Sequence, residues 1–354
     1  MSYYVTYFTK RPIGFHKESF QTNIYSYILN PNRINKYKMN YVPQTYTYKI
    51  GITSYLALLK NNTHVKILRD SVNNNENLSN FLNSAQNFYE KYPDFQNNKE
   101  KYYTLYRIPK KKGGFRDTYD PHPELKELQH QALDLLNNLY RVAEHNSAHA
   151  YCKDRDGYTN ALMHQQSNHF VKLDFKNFFP SITKNLLEST LLSLSEFGII
   201  TLKDDWINRS PDNALYTSLT KKFIDILLDI ATFQDFLPQG SPLSPKLSNL
   251  VMIPYDYQII ELCKQKKVTK TMMMYSRYAD DLTFSSLHPI DLNLLLFEIQ
   301  KILPKELKLN KEKTKYLKNS KRLYITGVKL NQNHELTYGH EKTAALKQDL
   351  FKII

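Results

Sequence analysis

This 354-residue chain has little cysteine and no long apolar run. Its two cysteines, Cys152 and Cys263, fit no metal-binding spacing and suggest a reducing compartment without a disulfide framework. No stretch of about 18 apolar residues occurs, so no membrane span is expected. The N-terminus is polar and aromatic and lacks the apolar segment of a secretory signal. These absences predict a cytoplasmic protein.

Basic and aromatic residues are abundant. The 48 Lys and Arg residues exceed the 34 Asp and Glu residues, which gives a net charge of +14. Such a charge favours a polyanionic partner, although solubility or attraction to a membrane surface would account for it equally well. The 27 tyrosines and 18 phenylalanines offer stacking surfaces, most of which we assign to core packing. The length allows two or three domains or subdomains.

Two adjacent carboxylates stand between two strand-like runs. Asp280 and Asp281 follow Tyr278-Ala279, and apolar residues lie on both sides, a pattern that predicts a β-hairpin. Neighbouring side chains on a strand alternate, but in a tight turn both can approach one point. Two carboxylates at such a short distance repel each other, and a divalent cation relieves the repulsion. Mg²⁺ is suited to hard oxygen ligands of this kind. An ordinary solvated turn is the alternative.

A third carboxylate lies about a hundred residues upstream. In HFVKLDFKNFFPSI, residues 169–182, apolar residues alternate with Lys172 and Asp174, which predicts a strand that ends near the aspartate. Three carboxylates from two strands can hold two metal ions ~3.5–4 Å apart, the arrangement used for in-line displacement at phosphorus.

Three motifs in this order resemble those of reverse transcriptases. They are DFKNFFPSI from Asp174, LPQGSPLSPKLSN from Leu237, and YADD from Tyr278. The match extends from about Tyr106 to Val328. It most resembles the bacterial group that includes retron and other phage-defence enzymes, and more distantly the group II intron enzymes.

The resemblance implies an α+β right-hand polymerase with fingers, a palm built on an antiparallel sheet, and a thumb. It implies RNA-directed DNA synthesis with two Mg²⁺ ions, for which Mn²⁺ is a possible substitute. Asp174 and Asp280 would bind both ions, and Asp281 would support them. One ion would activate a primer 3′-hydroxyl, and the other would hold the triphosphate.

A basic turn precedes these motifs. Gly113-Gly114 favours a hairpin turn, with Lys110, Lys111 and Arg116 around it. Arginine offers a forked pair of donors to phosphate, and lysine offers a point charge. The resemblance implies that Arg116 and either Lys110 or Lys111 contact the phosphates of the incoming nucleotide. A solvated turn that touches the template backbone is the alternative.

Two further positions are assigned to the nucleotide by resemblance. Phe179, five residues after Asp174, would exclude a 2′-hydroxyl by steric clash, while Phe178 packs inward; both could instead belong to the core. Gln239 would lie near the new base pair, with Gly240 allowing close backbone approach; a helix-start turn is the alternative.

Other assignments also come from the resemblance. Tyr278 would lie against the primer end or the nucleotide, and Lys313 near the triphosphate. Thr326 and Gly327 resemble the Val-Thr-Gly turn of retron enzymes, which approaches the primer strand.

Asn160 and His164 match an Asn-Ala-x-x-His pattern typical of retron enzymes. On a helix they would share one face at i and i+4. They could contact RNA, or His164 could simply be a satisfied core or surface residue.

The motifs divide the chain into four predicted segments. These are an N-terminal, partly helical extension (1–104), fingers (105–170), a palm (171–338, with fingers helices inserted at about 184–236) and the start of a thumb or C-terminal helix (339–354). Apolar periodicity predicts helices at Pro123–His145, Lys184–Phe197, Ser218–Phe233 and from Pro242 to about Lys266.

The last segment holds one helix at most. Either the thumb is reduced or missing, the sequence is truncated, or RNA, a protein partner or a second copy of the chain grips the duplex instead.

The functional hypothesis is an enzyme that copies a structured noncoding RNA into cDNA from dNTPs, in phage defence. One alternative is a mobile-element reverse transcriptase, which would usually carry further maturase or DNA-binding segments. An idle RNA-binding scaffold would tend to lose an aspartate, and all three are present. An RNA-templated RNA polymerase would favour a small residue in place of Phe179.

Overall fold

The computed structural model describes residues 74–110, 113–141, 144–196, 201–202, 214–318 and 323–338. Lys111, residues 1–73 of the N-terminal extension and the predicted thumb segment 339–354 lie outside these ranges. Within them, no helix is both long enough and apolar enough to cross a membrane.

Helices and short strands alternate along the described chain. The α-helices are α1 (Asn74–Lys91), α2 (Pro123–Asp134), α3 (Gly157–Leu162), α4 (Phe178–Ser181), α5 (Lys184–Glu196), α6 (Ala214–Ala231), α7 (Ser244–Lys264) and α8 (Leu292–Ile302). The strands are β1 (Tyr103–Pro109), β2 (Phe115–Pro121), β3 (Tyr140–Arg141), β4 (His169–Asp174), β5 (Thr201–Leu202), β6 (Met274–Tyr278), β7 (Asp281–Ser286), β8 (Lys315–Lys318), β9 (Leu323–Ile325), β10 (Val328–Leu330) and β11 (Leu336–Tyr338).

The chain divides into two compact units that do not follow chain order. Of the described residues, those up to 141 and those within 177–254 form the first unit, and those within 144–176 and from 255 onward form the second. These boundaries cut across the four predicted segments, which stay a prediction.

The second unit is built on a four-stranded antiparallel sheet in the order β6-β7-β4-β8. The predicted hairpin around Asp280 and the predicted strand ending at Asp174 are both confirmed. A three-stranded sheet, β11-β10-β9, forms a second layer. Ile325 and Val328 of this layer are buried with Phe170 of β4 and Ala161 of α3, which joins the two sheets through an apolar core.

The first unit carries the basic turn on an isolated β1–β2 hairpin. Most side chains of β1 are exposed, and Gly113 and Gly114 at the turn both have positive φ. The base of the hairpin is fixed by the buried side chain of Gln129, whose Nε2 donates to Tyr103 Oη at 3.2 Å and Ile230 O at 2.7 Å. Gln129 Oε1 accepts from Ser241 Oγ at 3.1 Å. One side chain therefore joins the hairpin, α6 and the loop that precedes α7.

The predicted helix ends mostly agree with the structure, with one exception. Helices α5, α6 and α7 lie within a few residues of the predicted ranges. The prediction of one helix over Pro123–His145 is wrong. Helix α2 ends at Asp134, a π-helical turn follows, and Tyr140–Arg141 then pairs with Thr201–Leu202. Apolar spacing cannot reveal this exchange, because the pairing partner is about sixty residues away in sequence.

Gly240 lies against the backbone of β2. Its φ is +109°, and a Cβ atom there would stand 2.6 Å from Tyr119 O and 2.8 Å from Thr118 Cγ2. The adjacent carbonyl of Gln239 accepts a hydrogen bond of 2.6 Å from Tyr119 N. The close approach that this glycine permits is therefore an approach to the protein's own hairpin.

Gly240→Ala should lower the free energy of unfolding by about 2–4 kcal/mol, because a left-handed backbone and a backbone clash combine. Gly113→Ala is the matched control. It has φ +90° but no atom within 4 Å of the added Cβ, so we expect a loss of only about 1–2 kcal/mol. Urea unfolding followed by circular dichroism measures both. Equal losses in the two variants would contradict the close contact at Gly240.

Candidate active site

The register of the central strands brings the three predicted carboxylates to one end of the sheet in the second unit. Asp174, the last residue of β4, pairs with Asp281, the first residue of β7. Phe175 N donates to Asp280 O at 3.2 Å. Asp280 lies in the two-residue turn between Tyr278 and Asp281, which pair across β6 and β7. The backbone therefore sets the three aspartates side by side.

Asp280 and Asp281 are both electrostatically destabilised. Burial raises the pKa of Asp280, and the negative charge of Asp281 raises it further. Burial also raises the pKa of Asp281, while the charge of Lys172 opposes this shift. Repulsion and desolvation both disfavour the ionised carboxylates, and a bound cation would relieve both.

Lys313 supplies positive charge at Asp174. Its Nζ lies 2.8 Å from Asp174 Oδ2 and 3.1 Å from Oδ1, and the hydrogen bond to Asp174 raises the pKa of Lys313. Asn310 N donates to Asp174 O at 2.7 Å, which ties the turn around Lys311–Lys313 to the end of β4. The Lys313 side chain is 59% exposed, whereas that of Asp174 is 11% exposed. An exposed, flexible ammonium thus neutralises a nearly buried carboxylate.

The donor set of the site fits a divalent cation. Three carboxylates with hard oxygen atoms lie at adjoining strand ends, and two of them have raised pKa values. In the parts of the chain that the structure describes, no three His, Cys, Asp or Glu side chains converge on a single point. Asp174 pairs with Lys313.

The predicted nucleotide contacts of the first unit are exposed or half-buried. Arg116 and Lys110 are exposed on the β1–β2 hairpin, while Gln239 is half-buried beside β2. Phe178 is 2% exposed, so its predicted inward packing is confirmed, whereas Phe179 is half-buried. Their contacts with a nucleotide stay a prediction, as does that of the half-buried Tyr278 in the second unit.

Asn160 and His164 are completely buried in the second unit. His164 Nδ1 lies 2.7 Å from Ser285 Oγ of β7, and its Nε2 lies 2.7 Å from Ser276 Oγ of β6. Burial lowers the pKa of His164 to about 3, so the imidazole is neutral and one of its nitrogens donates while the other accepts. Burial argues against direct contact with RNA and favours the alternative of a satisfied core histidine.

The turn at Thr326-Gly327 joins β9 and β10, and both residues have positive φ. Asn160 Nδ2 donates to Thr326 Oγ1 at 3.4 Å, and Thr326 Oγ1 donates to Gly157 O at 2.6 Å. The two retron-like patterns, separated by more than 150 residues, therefore contact each other. Thr326 is half-buried and Gly327 is exposed, and their contact with a primer stays a prediction.

Sequence reasoning missed a buried charged pair next to the turn that carries Asp280. Arg277 and Asp256 form an ion pair of 2.8 Å with no exposed surface on either side chain. A signal was present, because Arg277 is the one charged residue of strand β6.

Comparison with known proteins identifies the family. The model for reverse transcriptases (RNA-dependent DNA polymerases) matches residues 108–330, more than half of the chain. The retron Ec83 reverse transcriptase of Escherichia coli is 30% identical over 269 residues, which cover 74% of this chain and 80% of that protein. The retron Mx162 reverse transcriptase of Myxococcus xanthus is 32% identical over 244 residues, which cover 65% of this chain and 47% of that protein.

Among solved structures, apo telomerase from Candida tropicalis, truncated from its C-terminal domain, has a TM-score of 0.38 and 14% identity. The matched region covers 67% of this chain and 54% of the telomerase chain.

The raised pKa values of Asp280 and Asp281 predict that their ionised carboxylates destabilise the fold. In a chelator at neutral pH, Asp280→Asn/Asp281→Asn should be more stable than the unchanged chain by about 0.5–2 kcal/mol, because two repelling charges are removed. The difference should shrink as the pH falls, since a group whose pKa is raised by folding destabilises the fold only where it is ionised. Thermal unfolding across a pH series measures both effects.

Asp117→Asn is the matched control for this prediction. Its carboxylate is 46% exposed and pairs with Arg107 on the surface, so we expect a change near zero. A double variant that is less stable than the unchanged chain at neutral pH would contradict the repulsion between Asp280 and Asp281.

Proposed function

The chain belongs to the reverse transcriptase family and is a retron-type RNA-dependent DNA polymerase, and we propose that it copies a structured noncoding RNA with the help of two divalent ions. The observation that carries the proposal is the placement of Asp174, Asp280 and Asp281 at adjoining ends of β4 and β7. Mg²⁺ is the proposed ion, and Mn²⁺ is a possible substitute, since both accept oxygen ligands. When bound, the ions supply Lewis acidity to the primer hydroxyl and to the departing pyrophosphate.

The aspartates hold the ions, and the basic residues bind the nucleotide. Asp174 and Asp280 would ligate both ions, with Asp281 in support. Lys313 compensates the charge of Asp174, and its side chain, which is 59% exposed, would also reach a phosphate. Arg116 and Lys110 are exposed donors for the triphosphate, and the arginine provides a forked contact.

The remaining assignments concern the base, the sugar and the primer. Gln239 would lie near the new base pair, and Tyr278 against the primer end or the nucleotide. Phe179 would select deoxynucleotides by steric exclusion. Catalysis in this scheme depends on positioning and on electrostatic stabilisation of developing charge.

The proposed partners are a noncoding RNA template, dNTPs and the cDNA product. The net charge of +14 supports a polyanionic partner, whose binding should weaken as salt rises. The similarity to retron enzymes motivates a role in phage defence. A protein partner or a second copy of the chain could grip the duplex. A mobile-element reverse transcriptase and an idle RNA-binding scaffold are the competing roles.

Purification from the native host with bound nucleic acid tests the proposal. We expect sequencing to find one discrete RNA together with complementary DNA, and the DNA should be lost in Asp280→Ala/Asp281→Ala. RNA without DNA in both samples, also after phage infection, would overturn the proposal in favour of a scaffold. RNA from the host intron that encodes the protein would favour a mobile element.

Phe179→Ala should increase the incorporation of ribonucleotides relative to deoxynucleotides on the order of tenfold or more, because a steric clash with the 2′-hydroxyl is removed. Single-nucleotide incorporation with matched dNTP and rNTP pairs measures the ratio. Phe179→Tyr retains the ring and should keep the original selectivity. An unchanged ratio in the alanine variant would remove Phe179 from the nucleotide site.

A further inference from the structure

Arg277 is a charged side chain with no exposed surface, one residue before the catalytic motif. Its Nε donates to Asp256 Oδ1 at 3.1 Å, and its Nη2 donates to Asp256 Oδ2 at 2.8 Å. Asp256 is also fully buried and lies on α7. A buried ion pair is a poor source of stability, because desolvation of both charges offsets their attraction. A contribution to stability therefore does not account for the pair.

The guanidinium group also reaches the catalytic turn. Arg277 Nη1 donates to Ala279 O at 3.2 Å. Ala279 has φ +55°, a left-handed conformation at the first position of a two-residue turn, where such turns favour glycine. A non-glycine residue keeps this conformation only where its surroundings impose it. Asp280 and Asp281 directly follow Ala279, so the hydrogen bond to Ala279 O restrains the backbone immediately before the two carboxylates.

The backbone of Arg277 is held independently of its side chain. Arg277 N donates to Ser147 O at 2.7 Å, and His149 N donates to Arg277 O at 2.8 Å. Arg155 in turn fixes the loop that contains Ser147, because its Nη1 donates to His145 O and to Ala148 O, each at 2.7 Å. The guanidinium thus projects from a braced backbone and is aimed by Asp256.

We propose that Arg277 is a positioning residue: anchored on Asp256, it fixes the carbonyl of Ala279 and thereby sets Asp280 and Asp281 in place for divalent cations. The inference rests on the proposed metal-dependent function of these aspartates. Arginine suits the task because its planar fork can bind a carboxylate with two donors and present a third donor elsewhere. Lysine has one flexible ammonium and cannot span Asp256 and Ala279 O in the same way.

The neighbouring Tyr275 provides a matched control. Its hydroxyl donates to Asp256 Oδ1 at 2.7 Å, and its ring stacks on Phe284 at a centroid distance of 5.0 Å. Tyr275→Phe removes a buried hydrogen bond from the same cluster and leaves the bond between Arg277 and Ala279 intact. Any effect due only to disturbance of the cluster should appear in this variant too.

Arg277→Lys tests the inference in the full chain. Binding of Mn²⁺, followed by the EPR signal of the free ion, should weaken about tenfold, the factor that corresponds to one charge-assisted hydrogen bond. The Mg²⁺ concentration for half-maximal DNA synthesis should rise by a similar factor. Tyr275→Phe should lower the melting temperature but keep both values within about twofold of the unchanged chain.

The outcomes separate the inference from the proposed function. Unchanged Mn²⁺ affinity in a folded Arg277→Lys overturns the positioning role, and so does an equal loss in Tyr275→Phe. If Arg277→Lys does not fold, Asp256→Asn replaces it, and wild-type affinity in that variant overturns the role. If the unchanged chain binds Mn²⁺ but makes no DNA, the proposed function fails, while the Mn²⁺ comparison still decides the role of Arg277.

Discussion

The antiparallel register of β4 and β7 is the constraint on which the site depends. Asp174 and Asp281 are more than a hundred residues apart in sequence, yet they are paired residues of one ladder. Side chains on a strand alternate between faces, so a slip of one residue would send Asp174 to the opposite face and dissolve the cluster. The same two strands are buried along most of their length, and the cost of exposing Leu173 or Phe284 helps to fix the register.

The resulting cluster is held together against its own electrostatics. Desolvation and mutual repulsion act on Asp280 and Asp281, while Lys313 compensates Asp174 from the solvent side. Around this unstable centre the structure places buried polar contacts: the pair of Arg277 and Asp256 on one part of the sheet, and His164 with two serines on another. A scaffold of this kind keeps the carboxylates in place while leaving their charges available to a cation.

The sequence predicted the strands of the site because its apolar residues alternate around Asp174 and flank Asp280. It predicted α5, α6 and α7 because their apolar stripes are regular. It could not place the end of α2, where pairing between β3 and β5 overrides helical periodicity. It also could not reveal that Gly240 packs against the backbone of Tyr119, or that Arg277 forms an ion pair with Asp256. Both contacts are with residues that are distant or unmarked in the sequence, and only the folded chain brings them together. The local sequence pattern predicts a helix or a strand, but it does not predict which other elements that helix or strand contacts.

The contact between Asn160 and Thr326 joins two distant stretches of sequence into one piece of the second unit. Gly157 contributes to this piece, since a Cβ atom there would stand 2.9 Å from Thr326 O. Residues 157–164 and 323–330 therefore form matched surfaces, and a change of shape in one requires a compensating change in the other. In a chimera assembled from two relatives of this chain, a crossover point between these stretches would pair unmatched halves. Exchanging both stretches together would keep the joint intact.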